Sequence, residues 1–161
     1  MEDRRAGPAR RRTLLRPAGR LRGRALPTPH ARTLAGFSAG AYGSVDIGLP
    51  HPGLFGTLES WSGYFKSPRD GSLANATAAE RMAHDPQALL PADAAELRAG
   101  HVRIFLSAGR REPKTLLAAR TFARELSGLG LDHVLDLTAG GHHGRAWRAV
   151  LPTGLIYALT R

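Results

Sequence analysis

Cysteine is absent from the 161 residues, so the chain can form neither a disulfide framework nor a thiolate metal site. Long apolar runs are missing as well. No stretch approaches the roughly 18 apolar residues of a membrane-spanning helix, and no apolar core follows the basic start as it would in a cleaved secretory leader. The expectation is a chain without a membrane span, located in the cytoplasm. Aromatic residues make up only 6% of the composition, and none occurs among residues 1–31, which leaves that stretch nothing to stack on nucleic-acid bases. No internal repeat is visible.

What is present is an ordinary apolar content of 42%, enough for one domain with a real core. The formal charge of +10 is unevenly spread. Residues 1–32 carry ten arginines against Glu2 and Asp3, whereas the remainder holds 13 basic and 11 acidic groups. The basic character therefore belongs to an N-terminal stretch of Arg, Ala, Gly, Pro and Leu without helical or strand period, with prolines at 8, 17, 27 and 29. Residues 1–31 are expected to be a disordered tail and 32–161 a folded domain. No specific nucleic-acid partner is expected.

From Ala31 onward the pattern alternates. A short apolar strand ends near Phe37, and a helix runs from Ala39 to about Gly48, ending before Pro50. Residues 54–62 suggest the next strand, and residues 66–79, polar and small, a surface excursion. Weak helices are predicted at 78–84 and 91–99, the second with Pro91 suited to a first helical position. Residues 102–107 read as the clearest strand. Residues 114–129 place Leu116, Leu117, Phe122, Leu126 and Leu129 at helical spacing. A strand follows at 133–137, then a glycine-flanked loop, then a helix at 145–159 interrupted by Pro152. This alternation predicts an α/β fold: a mostly parallel sheet of about four strands flanked by helices.

The chain is organised around Leu34-Ala35-Gly36-Phe37-Ser38-Ala39-Gly40-Ala41-Tyr42-Gly43. Gly36-x-Ser38-x-Gly40 between a strand and a helix has the form of a nucleophile elbow, in which a strained turn projects a serine hydroxyl from the edge of a sheet. Both glycines are expected to be needed sterically where strand and helix close on each other. The first amides of the helix point toward Ser38, and that of Ala39 could hold a developing oxyanion. A nucleophilic serine needs a base, and the base a carboxylate to orient it. Of the seven histidines, at 30, 51, 84, 101, 133, 142 and 143, only His142 and His143 lie in a glycine-flanked loop after the final strand. Either could swing over the sheet edge, and sequence alone gives little to separate them. Glu112, directly after the 102–107 strand, is the candidate acid; its carboxylate would equally suit the start of the following helix. Asp132, before a strand, and Asp136, inside one, are poorer candidates. The order Ser, acid, His is that of α/β-hydrolases.

Four blocks extend this pattern: the elbow segment itself, His51-Pro52-Gly53-Leu54-Phe55, Ser60-Trp61-Ser62-Gly63-Tyr64-Phe65, and Gly140-Gly141-His142 with Trp147-Arg148 and Leu151-Pro152. Together they resemble the esterase family related to esterase D and the mycobacterial antigen 85 mycolyltransferases, over about residues 31–161. The resemblance implies an α/β-hydrolase with Ser38 as nucleophile, Glu112 at the position of the acid and His142 as base. It implies hydrolysis of small-molecule carboxylic esters or thioesters, or acyl transfer, without metal or organic cofactor. Two departures stand out. His143 and Gly144 replace the acidic or amide residue and the aromatic usual after the histidine. Only 37 residues precede Ser38, where the family has several further strands and the loop that gives a second oxyanion donor. The expectation is therefore the C-terminal half of such a fold, with N-terminal strands missing, an exposed sheet edge that favours self-association, and Ala39 as the surviving oxyanion donor. The alternative is a catalytically impaired or inactive fragment.

Overall fold

The computed structural model describes residues 32–160. The arginine-rich stretch 1–31, read above as a disordered tail, lies outside the described residues. Among the described residues, four strands, β1 (Thr33–Phe37), β2 (Thr57–Trp61), β3 (Arg103–Gly109) and β4 (His133–Thr138), alternate with five α-helices. These are α1 (Ala39–Gly48), α2 (Ala78–Ala83), α3 (Pro86–Ala99), α4 (Pro113–Gly128) and α5 (Gly144–Leu159). The sheet has the order β1-β2-β3-β4 and every pairing is parallel. Phe37 is level with Trp61, Trp61 with Ser107, and Gly109 with Thr138. All four strands thus end at one edge, and the loops that leave that edge meet.

The two-residue period of a strand divides the core between the faces of the sheet. Leu58, Ile104 and Leu106 point to one side, where they pack with Val45 and Leu49 of α1, Leu90 and Leu97 of α3, and Phe122 and Leu126 of α4. Trp61 and Phe105 point to the other side, under Val150 and Tyr157 of α5. This second layer is thin, and Phe37, Leu151, Leu155, Ile156 and Leu159 remain exposed around it.

Three local expectations are corrected. α3 begins at Pro86 instead of Pro91, because the Asp85 side chain accepts a hydrogen bond from the Ala88 amide at 2.9 Å and Pro86 takes the first helical position. Pro91 then sits inside the helix. α5 runs unbroken through Pro152; the proline is on the exposed side, where the carbonyl it leaves unpaired can reach water. The third concerns the elbow glycines. A Cβ at Gly36 would lie 2.2 Å from the Gly40 carbonyl oxygen, but a Cβ at Gly40 would meet nothing within 4 Å. Only the first glycine is enforced by packing. Helix α1 approaches the sheet through Gly48, where a Cβ would strike the Leu58 side chain at 2.2 Å.

One buried side chain is chemically out of place. Glu59, 2% exposed in the middle of β2, accepts a hydrogen bond at Oε2 from Trp61 Nε1 (3.0 Å), while its Oε1 has no partner. Gly154 of α5 passes directly above, where a Cβ would be 2.5 Å from Oε2. Burial pushes the Glu59 carboxyl up to about 7, against the smaller opposing effect of the Trp61 hydrogen bond.

Two measurements check these points. Gly36→Ala should lower stability by about 1–3 kcal/mol, whereas Gly40→Ala should be neutral or stabilising by up to about 1 kcal/mol; equal melting temperatures would contradict the steric account. For Glu59, the folded chain keeps a proton that the unfolded chain releases at the ordinary carboxylate range. Stability should therefore fall as pH rises from that range through about 7, by at most about 1.4 kcal/mol per pH unit. Thermal melts across this window should show the fall in the native sequence and a flatter profile in Glu59→Gln.

Candidate active site

Ser38 lies between the end of β1 and the start of α1, with φ 54° and ψ −120°. These are the angles of the first central position of a type II′ turn, where glycine is the usual residue. The conformation is held on both sides: the Ser38 amide donates to the Trp61 carbonyl at 3.0 Å, and the Ser38 carbonyl accepts from the Ala41 and Tyr42 amides. The backbone is thereby pinned while the hydroxyl stands clear of the sheet. The Ala39 amide occupies the first position of α1, where a backbone N–H has no acceptor within its own helix.

His142 comes from the loop after β4. Its Nε2 is 2.9 Å from Ser38 Oγ, and its Nδ1 is 2.7 Å from Glu112 Oε2. Because an ionised carboxylate only accepts, Nδ1 carries the proton of the neutral ring and Nε2 is left to accept from the serine hydroxyl. His143, the alternative base, faces elsewhere. It caps α5, with its Nδ1 accepting from the Ala146 amide at 3.3 Å. Neighbouring residues thus divide two tasks: one ring reaches Ser38 and the next starts the helix.

Glu112 stands between β3 and α4 and is almost fully buried. Its Oε1 accepts from Ser62 Oγ (2.9 Å) and the Gly109 amide (3.1 Å), and its Oε2 from Thr115 Oγ1 (2.9 Å) and His142 Nδ1 (2.7 Å). Four donors meet the four lone-pair positions of one carboxylate. Burial by itself would raise this carboxyl, but hydrogen bonds from His142, Ser62, Thr115 and Gly109 hold it below its ordinary value. Glu112 precedes α4 directly, yet its side chain makes no capping bond to that helix. Asp132 lies near Arg103 (3.7 Å), at the opposite end of the strands, and Asp136 is within β4.

Several residues given no role from sequence alone support the site, Ser62 and Trp147 among them, although both lie in the blocks that carry the resemblance. Ser62, at φ 55°, also accepts from Trp147 Nε1 at 3.2 Å. The Trp147 ring stacks on Phe37 with centroids 4.3 Å apart and meets the His142 ring edge-on at 5.2 Å. Gly109 is enforced, since a Cβ there would lie 2.3 Å from the Gly140 carbonyl and 2.6 Å from Glu112 Oε1. The glycines around Glu112 and His142 were a readable signal of close approach; the part played by Ser62 depends on residues distant in the chain. Among the described residues, no group of three or more His, Asp or Glu side chains is placed to hold a metal ion, and no helix is long and apolar enough to cross a membrane.

Residues 20–158 match the family model Esterase, described as "Putative esterase". The iron(III) enterobactin esterase of Escherichia coli K12 is 30% identical over 123 residues, which cover 76% of this chain and 28% of that enzyme. The chain therefore spans little more than a quarter of that relative's length. The enterobactin esterase FES of Shigella flexneri superposes with a TM-score of 0.61 at 29% identity, over 82% of this chain and 32% of that one. The fluorophosphonate-binding serine hydrolase F of Staphylococcus aureus superposes with a TM-score of 0.69 at 18% identity, over 84% and 57% of the two chains, a likeness of fold.

The angles at Ser38 generate a prediction. A non-glycine residue held in such a region stores about 1–3 kcal/mol, so Ser38→Gly should raise the melting temperature. An unchanged or lowered melting temperature would mean that the turn is not strained.

Proposed function

The chain belongs to the esterase family whose model it matches over residues 20–158, and from that premise we propose that it is a serine hydrolase acting through Ser38, His142 and Glu112. Its substrates are small-molecule carboxylic esters or thioesters, with acyl transfer as the variant in which an alcohol replaces water. The observation that carries this reading is the continuous run of hydrogen bonds from Ser38 Oγ through His142 to Glu112, at 2.9 and 2.7 Å.

Ser38 Oγ attacks the carbonyl carbon as its proton passes to His142 Nε2. The carbonyl oxygen becomes an oxyanion, which accepts from the Ala39 amide at the positive end of α1. Collapse of this intermediate breaks the bond to the leaving group, which takes the proton from His142 and departs as alcohol or thiol. The acyl group stays on Ser38. Water then attacks with His142 again as base, releasing the acid and restoring the serine. Glu112 stays ionised throughout and offsets the charge of the imidazolium. The family and the serine-hydrolase fold support ester cleavage, and the enterobactin esterases make enterobactin one substrate to include in a screen.

A second reading, the same fold with impaired catalysis, is favoured by one observation. β1, which leads directly into Ser38, is an outer strand of the described sheet, and Phe37 beside the serine is 51% exposed. An elbow supported from one side can keep its shape yet lack a second oxyanion donor, and losing one such donor costs about 10²- to 10³-fold in rate.

Labelling of the purified chain with a fluorophosphonate, located by mass spectrometry, separates the two. Modification at Ser38 that disappears in Ser38→Ala and His142→Ala is the expected result. No modification of a chain shown to be folded would leave the impaired reading standing.

A further inference from the structure

Resting on the assignment of Ser38, His142 and Glu112 above, we infer that Trp147 is a positioning residue that acts through Ser62 to orient the Glu112 carboxylate toward His142. An indole Nε1 can only donate, so its bond to Ser62 Oγ occupies an acceptor position of that hydroxyl. The single proton of Ser62 is then free to point only toward its other neighbour, Glu112 Oε1, 2.9 Å away. With Oε1 fixed by Ser62 and the Gly109 amide, the opposite oxygen is turned to Thr115 and His142. Without the indole N–H, the Ser62 hydroxyl can rotate and the carboxylate loses one of its four donors for part of the time.

The geometry closes into a ring. Trp147 holds Ser62, Ser62 holds Glu112, Glu112 holds His142, and His142 reaches Ser38. Ser38 is joined through the backbone to Phe37, on which the Trp147 ring is stacked, while the His142 ring meets the edge of the same indole. One side chain therefore touches His142, the residue before Ser38 and the hydroxyl that supports Glu112. Its placement is set by the residue after the base, because α5 starts at the His143 cap and carries Trp147 in its first turn. Ser62 is itself held unusually, at φ 55° with its amide donating to the Ser107 carbonyl at 2.6 Å. That backbone suits glycine better than serine, so the hydroxyl is retained at a conformational cost.

The test uses Trp147→Phe, which keeps an aromatic ring and removes the N–H, and Ser62→Gly, which removes the hydroxyl at a position where glycine is unstrained. Two readouts are taken on the full chain: the midpoint of the His142 imidazole titration by NMR, and the pH profile of fluorophosphonate labelling at Ser38. Removing a donor from Glu112 concentrates its charge on His142, so both variants should raise the imidazole midpoint. Each should slow labelling by about 2- to 10-fold, the worth of one hydrogen bond. Because the two residues act in series, the double variant should be no worse than Ser62→Gly alone. An unchanged imidazole midpoint in both folded variants, or fully additive losses, would overturn the inference and leave Trp147 as packing. The NMR readout does not require activity. Absence of labelling in the native chain would count against the hydrolase assignment, while the imidazole midpoints would still decide the positioning of Glu112.

Discussion

The contact between Gly36 and the Gly40 carbonyl governs the arrangement of everything around it. A single added methyl at Gly36 would fall within 2.2 Å of that oxygen, so strand β1 and helix α1 can turn as tightly as they do only because the side chain is missing. The tight turn forces the backbone of Ser38 into positive φ, and that lifts its hydroxyl off the sheet edge. The parallel register then does the rest. With β1, β2, β3 and β4 ending together, the segments holding Ser62, Glu112 and His142 emerge beside the same turn. The site is a consequence of strand direction more than of any one loop.

Two buried glutamates, Glu59 within β2 and Glu112 just past the end of the neighbouring β3, show how strongly hydrogen bonding decides the chemistry of a carboxyl group. Both are nearly inaccessible, and burial pushes both upward. Glu112 meets four donors and is held below its ordinary value; Glu59 meets one and is pushed up to about 7. The same residue type is an anion at one position and readily protonated at the other, on account of its immediate partners. Only the first arrangement can support a positively charged imidazole.

The legible part of this chain was whatever had a local cause. The strand–turn–helix at Ser38 follows from glycine spacing, and the four strands from apolar and β-branched runs between glycine-rich turns. Structure and sequence differ where two local signals competed, as at Pro86 and Pro91, both suited to a first helical turn, with the Asp85 cap deciding between them. They differ again where a rule was broken on a tolerant surface, as at Pro152. Separating His142 from His143 required knowing which ring caps α5. Ser62 and Trp147, 85 residues apart, had no sequence signal of their mutual bond, since nothing in a periodicity or a motif spacing records a hydrogen bond across the sheet edge.

The all-parallel sheet also constrains how the described residues can come together as they fold. With no hairpin available, every pairing must wait for a crossover to close, and the longest, from Trp61 to Arg103, joins the two central strands. Pairing of β1 with β2 and of β3 with β4 closes shorter loops, so two half-sheets should gather before they dock. Ser38 and Ser62 ride on the first half, Glu112 and His142 on the second. The hydrogen bonds between Ser38 and His142 and between Ser62 and Glu112 both cross that seam. On that order, a late docking step would join the halves of the fold and the halves of the site in the same event.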